Sequence, residues 1–133
     1  MCKDYEIVIG ENNFRFLLLG TVVPEKDNNH DGYCSFFMNA PKSECVYIFV
    51  LNDKIEYLGQ TKNLKRQLNS GYGKITESNL CDNGQSTNCR INKAIFAAAL
   101  KHEYYQIFYL ETDKSKRIKE EILTVITTKY NKR

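Results

Sequence analysis

Two tyrosines stand ten residues apart in the stretch Cys45-Val46-Tyr47-Ile48-Phe49-Val50 and Ile55-Glu56-Tyr57-Leu58-Gly59. Both segments are rich in β-branched and aromatic residues, and they read as two strands joined by the polar connection Asn52-Asp53-Lys54. Successive strand residues point to opposite faces, so the two phenols share a face only if the loop holds an odd number of residues. A loop of Asn52, Asp53 and Lys54 satisfies that demand. A phenol with an ordinary pKa near 10 is a poor base at neutral pH. Tyrosines are also simply common in strands, and the pair alone does not decide between chemistry and packing.

Other polar groups are weaker candidates. Asp27, His30 and Asp31 lie in a turn-rich polar stretch and read as a solvated loop rather than a metal site. The five cysteines are odd in number and widely spaced, with no Cys-x-x-Cys and two histidines to join them, so reduced thiols fit better than zinc or a disulfide framework. Gly84 to Asn92 is a polar loop feeding a helix start, with Ser86 and Thr87 as caps. Free amides there, with Arg90 beside them, can hold a phosphate, and an ordinary capped start explains the same residues equally well. Glu120 and Glu121 alone read as a solvated helix face.

The elements that must position these residues follow from periodicity. Tyr5 to Ile9 and Phe14 to Val23 flank the turn Gly10-Glu11-Asn12-Asn13 and read as a hairpin. Pro24 to Ser43 is a long polar connection holding the short apolar patch Tyr33 to Met38. Val46, Ile48 and Val50 on one side of a strand, with Phe49 and Leu51 on the other, predict a strand covered on both faces. A helix is expected from a Thr61 N-cap through Leu64 and Leu68 to Ser70-Gly71-Tyr72-Gly73. Lys74 to Ser86 is a second turn-rich insert. Ile91, Ala94, Ile95 and Ala98 predict a helix from about Asn88 to Lys101, then a strand from Glu103 to Glu111. Ile118, Ile122, Val125 and Ile126 predict a last helix ending near Lys129.

At 133 residues, 42% hydrophobic and 26% charged, the chain reads as one globular domain, with residues 1–43 extending a core of 44–133. A net charge of +3 permits a polyanion partner without requiring one. No apolar run has membrane-spanning length and the first residues do not open a signal peptide, so a cytoplasmic location is expected.

Val46-Tyr47, then nine residues, then Tyr57-Leu58-Gly59 and Gln60-Thr61-Lys62-Asn63-Leu64, resembles the signature of the GIY-YIG nucleases, with Cys45 in place of the usual glycine. Gly84 to Asn92 and Ser70 to Gly73 resemble stretches of the restriction endonucleases of that family. The resemblance implies a small α/β fold of the α+β type: a three-stranded, mainly antiparallel sheet flanked by helices, here with an N-terminal β-hairpin extension. It implies a restriction or defence endonuclease that hydrolyses DNA with Mg²⁺ (or Mn²⁺), leaving 5′-phosphate and 3′-hydroxyl ends. Double-stranded DNA is the implied partner, and a homodimer is the economical way to cut both strands.

Carried over by position, Tyr47 is the water-activating or water-orienting phenol and Tyr57 the one that bonds phosphate or water. Glu120, preferred to Glu121, is the metal ligand. Asn131 in Lys129-Tyr130-Asn131 resembles the family's closing asparagine, one residue short and without its proline. Gly59, Lys62, Tyr72, Thr87, Asn88 and Arg90 are the implied DNA contacts. The family's helix arginine is missing, because Gln67 stands at its position and Arg66 one step earlier, a rotation of about 100° on a helix. Three explanations stay open: Arg66 acts through a shifted helix register, the protein is weakly active, or an arginine has been changed to Gln67 to inactivate it. The last is preferred, since every other element is in place. The alternative function is a catalytically silent nucleic-acid-binding module on the same fold.

Overall fold

The alternating apolar segments become one five-stranded sheet. The computed structural model describes residues 4–75 and 86–131. In chain order these are β1 (Asp4–Ile9), β2 (Asn12–Thr21), β3 (Glu25–Lys26), β4 (Cys34–Ser35), β5 (Cys45–Leu51) and β6 (Lys54–Thr61). Then come α1 (Leu64–Arg66), its π-helical continuation (Gln67–Tyr72), α2 (Thr87–Leu100), β7 (Gln106–Glu111) and α3 (Ser115–Leu123).

The sheet order is β1-β2-β7-β5-β6, with every pair antiparallel. It is larger than the three-stranded sheet expected. The N-terminal hairpin is part of it, because β2 pairs with β7 through Leu17↔Tyr109 and Leu18↔Phe108. Without β2, the apolar β7 would present an open edge, which a buried strand does not tolerate.

The two faces of β5 are both buried, as its apolar run predicts. Val46, Ile48 and Val50 pack with Leu58, Phe108 and the α3 residues Ile118 and Ile122. Cys45, Tyr47 and Phe49 pack on the opposite face with Leu64, Leu68, Tyr72, Ile91 and Ile95 of the other helices. The tyrosine face is therefore roofed by α1, its π-helical continuation and α2, while α3 covers the far face.

Helix boundaries depart from expectation for local reasons. Asn63, not Thr61, caps α1, its side chain accepting from the Arg66 amide at 3.0 Å. Thr61 instead accepts from the Asn63 amide at 3.1 Å. After α2, His102 takes a positive φ of 60° and the Glu103 amide donates back to the Ala98 carbonyl. This helix stop occupies the residues expected to start β7, which begins at Gln106. The last helix ends at Leu123 rather than near Lys129.

The long connection 24–43 is pinned rather than free. β3 and β4 pair with each other, and the buried Asn92 of α2 holds β4 through its side-chain amide. Asn92 accepts from the Cys34 amide at 2.9 Å and donates to the carbonyls of Cys34 and Tyr72 at 2.8 and 2.7 Å. One side chain thus joins the connection, the end of the π-helix and α2. Within that connection the Asp27 carboxylate accepts from the Asn29 amide and faces His30 at 3.4 Å, an Asx-type turn. The Lys74 to Ser86 insert lies mostly outside the described residues.

Candidate active site

Tyr47 and Tyr57 share a face by a different route from the one the loop predicts. The turn between the strands holds two residues, Asn52 and Asp53, at φ of 50° and 65°, with Leu51 paired to Lys54. Two positive φ values in a two-residue loop make a type I′ turn, and by itself this would set the phenols on opposite faces. A bulge corrects the parity. Val50 pairs with Ile55 but Phe49 pairs with Tyr57, so Glu56 is the extra residue.

The result is a cluster of three phenols. The Tyr47 and Tyr72 hydroxyls hydrogen-bond at 2.7 Å, and both rings are about 1% exposed. Tyr57 is half-buried, its ring centroid 6.3 Å from Tyr47 and 6.2 Å from Tyr72. Burial, and then the neighbouring Tyr57, push the Tyr47 phenol well above its ordinary pKa. Burial also raises Tyr72, with Tyr47 adding to the effect. Both stay protonated at neutral pH and work as hydrogen-bond groups, not as bases. Tyr57 is the member of the trio that reaches solvent.

Gly59 stands opposite Tyr47 in the β5–β6 register. A Cβ added there would lie 2.5 Å from the Tyr47 Cζ and hydroxyl oxygen. The glycine makes room for a phenol, and it is buried; the expected role in letting DNA approach does not fit that position. Tyr72, expected as a DNA contact, is likewise a core residue whose hydroxyl is engaged by Tyr47. Sequence reading missed this because nothing in Gly71-Tyr72-Gly73 reveals the π-helix that carries Tyr72 inward, with the Gly73 amide donating to the Leu68 carbonyl at 2.7 Å.

The remaining expected residues divide. Gln67 and Asn88 both flank Gly71, at 3.2 and 3.7 Å from a Cβ built there, so the π-helix and the first turn of α2 bring them together. Thr87 and Asn88 are half-buried in that turn, which Ser86 caps by accepting from the Cys89 amide at 3.2 Å. Arg90 lies over the Tyr130 ring, 5.6 Å from its centroid. Arg66 is exposed and lines a separate groove with Phe37, Lys42 and Lys65. Lys62 pairs with Glu44 at 3.2 Å.

Asn131 clamps the outer edge of the sheet. It accepts from the Leu58 amide and donates to the Leu58 carbonyl, each at 2.8 Å, while the Tyr130 amide donates to the Glu56 carbonyl at 2.9 Å. β6 ends the sheet, so these bonds satisfy edge groups as a further strand would. The same segment brings Tyr130 to the tyrosine side. There the bulged Glu56 accepts from the Tyr105 hydroxyl and lines a groove of about 200 Å³ with Tyr105, Lys129 and Tyr130. Glu56 escaped the sequence reading because only the bulge turns it to this side.

Glu120 is exposed on α3, the helix on the far face, and Glu121 accepts from the Asn12 side chain at 2.9 Å. Mg²⁺ is bound by one or two carboxylates with water and phosphate oxygens. Glu120 has an accessible carboxylate, but its helix stands across the sheet from the phenols. The described residues contain no group of three His, Cys, Asp or Glu able to hold a metal. Among the described residues, no helix is long and apolar enough to cross a membrane.

No family model and no curated protein matches this sequence. The fold matches the solved structure of a mutant of bacteriophage T4 EndoII, with a TM-score of 0.64 at 15% identity. The match covers 88% of this chain and 92% of that one. At that identity the likeness is one of fold.

Proposed function

We propose that this chain is a DNA endonuclease of the GIY-YIG type, cutting a phosphodiester by water attack to leave a 5′-phosphate and a 3′-hydroxyl. The observation that carries this reading is the shared face of Tyr47 and Tyr57, whose motif resembles that family's, in a fold shared with bacteriophage T4 EndoII. The restriction branch has no support from that likeness.

In this reading Tyr57 meets the substrate, its hydroxyl bonding the attacking water or a phosphate oxygen. Tyr47 and Tyr72 form the dry backing that fixes the Tyr57 ring, and their raised pKa values keep them as neutral hydrogen-bond partners. Arg90, on α2 and over the Tyr130 ring, would face phosphate charge. The divalent-metal requirement comes from the family resemblance, with Glu120 as its residue, and no step is routed through it.

A catalytically silent DNA-binding module is the second reading. It is favoured by Gln67 at the family's arginine position and by Glu120 on the helix across the sheet. A labelled duplex separates the two readings. The nuclease reading expects Gln67→Arg to cleave at least ~100-fold faster than the parent chain in Mg²⁺, the typical worth of one preorganised transition-state donor. No cleavage by either protein, with binding retained, would establish the silent module instead.

A further inference from the structure

We propose that the groove between segment 37–42 and the first helix binds a nucleic-acid strand, with Lys42, Lys65 and Arg66 on its phosphates and Phe37 stacked on an unpaired base. The groove has a volume of about 280 Å³ and is walled by Phe37, Lys42, Asn63, Lys65, Arg66 and Asn69, together with Ser70. Three of these are cations and none is an acid.

Phe37 is 68% exposed, yet it does not hang on a loose loop. The Asn69 side chain accepts from the Met38 amide at 2.6 Å and donates to the Met38 carbonyl at 2.8 Å, fixing the residue beside Phe37. The Phe36 amide donates to the Gly73 carbonyl, and the Leu64 and Lys65 amides donate to the carbonyls of Ser43 and Pro41, at 3.0 to 3.1 Å. Both walls are therefore sewn together by main-chain bonds on either side of the exposed ring. The backbone on either side of Phe37 is thereby held, the Lys65 ammonium lies over the ring 6.0 Å from its centroid, and the ring also borders a second groove with Val23, Glu25, Ser35 and Phe36.

A basic groove with an aromatic platform is how proteins hold nucleic-acid strands without reading sequence. Duplex phosphates would satisfy the cations alone. An exposed ring beside them asks for an exposed base, which favours a single-stranded or locally unpaired segment. Arg66, expected to be a catalytic cation, takes a substrate-holding role here. The inference rests on the proposed action on DNA.

The test is fluorescence anisotropy with labelled dT12 and with a 20-base-pair duplex across a salt series, without divalent metal. Changing Lys42, Lys65 and Arg66 together to Ala should weaken dT12 binding at least ~10-fold and lower the salt slope by about 2, from roughly 0.7 per phosphate contact. Changing Lys114, Lys116 and Arg117 to Ala removes the same charge from the start of α3, outside the groove's lining, and should change binding less than ~2-fold. Phe37→Ala should weaken dT12 by about 10-fold, leave the salt slope alone and affect the duplex less. Equal losses from the two triple variants, no loss from Phe37→Ala, or a loss confined to the duplex would each overturn the proposal. Groove-dependent dT12 binding by a chain whose Gln67→Arg form also cuts no DNA would sink the nuclease reading alone. Cleavage with unchanged binding by the groove variants would sink the groove alone.

Discussion

Replacing Gly59 by alanine should be among the most disruptive single-methyl additions this chain can undergo. The added carbon would lie 2.5 Å from the Tyr47 Cζ and hydroxyl oxygen and 2.9 Å from Cε2, where ordinary contact is 3.4–4 Å. About 1 Å must open between two paired strands, or the phenol must leave its place. Tyr47 is buried among Phe49, Tyr57 and Tyr72, so the ring has no empty space to enter. Overpacking of this kind costs about 1–3 kcal/mol. A displaced Tyr47 hydroxyl also abandons Tyr72, and an unsatisfied buried hydroxyl costs a further ~1–3 kcal/mol. A total near 2–6 kcal/mol lowers the urea midpoint by about 1–3 M at an ordinary m-value for a small domain. In the Tyr47→Leu background, which removes the offending atoms, the same alanine should cost under ~1 kcal/mol, a coupling that a double-mutant cycle measures directly. A Gly59→Ala protein with an unchanged midpoint would refute the packing of the phenol against this glycine, and with it the derived shape of the site.

Other consequences are as direct. Tyr47→Phe and Tyr72→Phe should each cost about 0.5–1.5 kcal/mol by removing the Tyr47–Tyr72 bond, the remaining hydroxyl keeping Tyr57 as a partner, and the double change should cost less than the sum of the two in urea unfolding. Asn131→Ala should leave the Leu58 amide exchanging with solvent far faster by NMR hydrogen exchange, at a stability cost of about 1–3 kcal/mol. Burial raises the Cys34 and Cys45 thiols to about 12 from 9.0, so the folded chain keeps protons that the unfolded chain begins to release near pH 9. Stability is then full below pH 9 and falls as pH rises from 9 towards 12, by up to ~1.4 kcal/mol per pH unit for each thiol. A urea midpoint that stays flat from pH 8 to 10.5 would contradict this.

Much of the site's frame was legible in the sequence, and the failures have specific physical causes. The two faces of β5 follow directly from Val46, Ile48 and Val50 alternating with Tyr47 and Phe49. The shared face of Tyr47 and Tyr57 was reached through a loop count that the structure replaces with a type I′ turn and a bulge at Glu56. The turn had a signal, since Asn52-Asp53 suits two positive φ values. The bulge had none, because a bulge is set by what the strands pack against. The run Thr124-Val125-Ile126-Thr127-Thr128 is β-branched throughout, a poor continuation for a helix, and that was a legible reason to end α3 early. Asn131 matched a motif asparagine, but its place as a clamp on the edge of β6 depends on knowing that β6 is the edge. Helix rotation separates Arg66 from Gln67, yet only the fold reveals that Arg66 opens onto a second groove.

In the proposed function the tyrosine face breaks phosphodiester bonds, with Tyr57 meeting the substrate. Nicking of supercoiled plasmid in Mg²⁺ by Gln67→Arg, compared with Gln67→Arg/Tyr57→Phe at matched DNA binding, tests it most directly. The account predicts that the first protein nicks and that losing one hydroxyl slows it by at least ~100-fold, the typical worth of one hydrogen-bond group in the transition state. Equal nicking by both proteins, or none by the first, would contradict it.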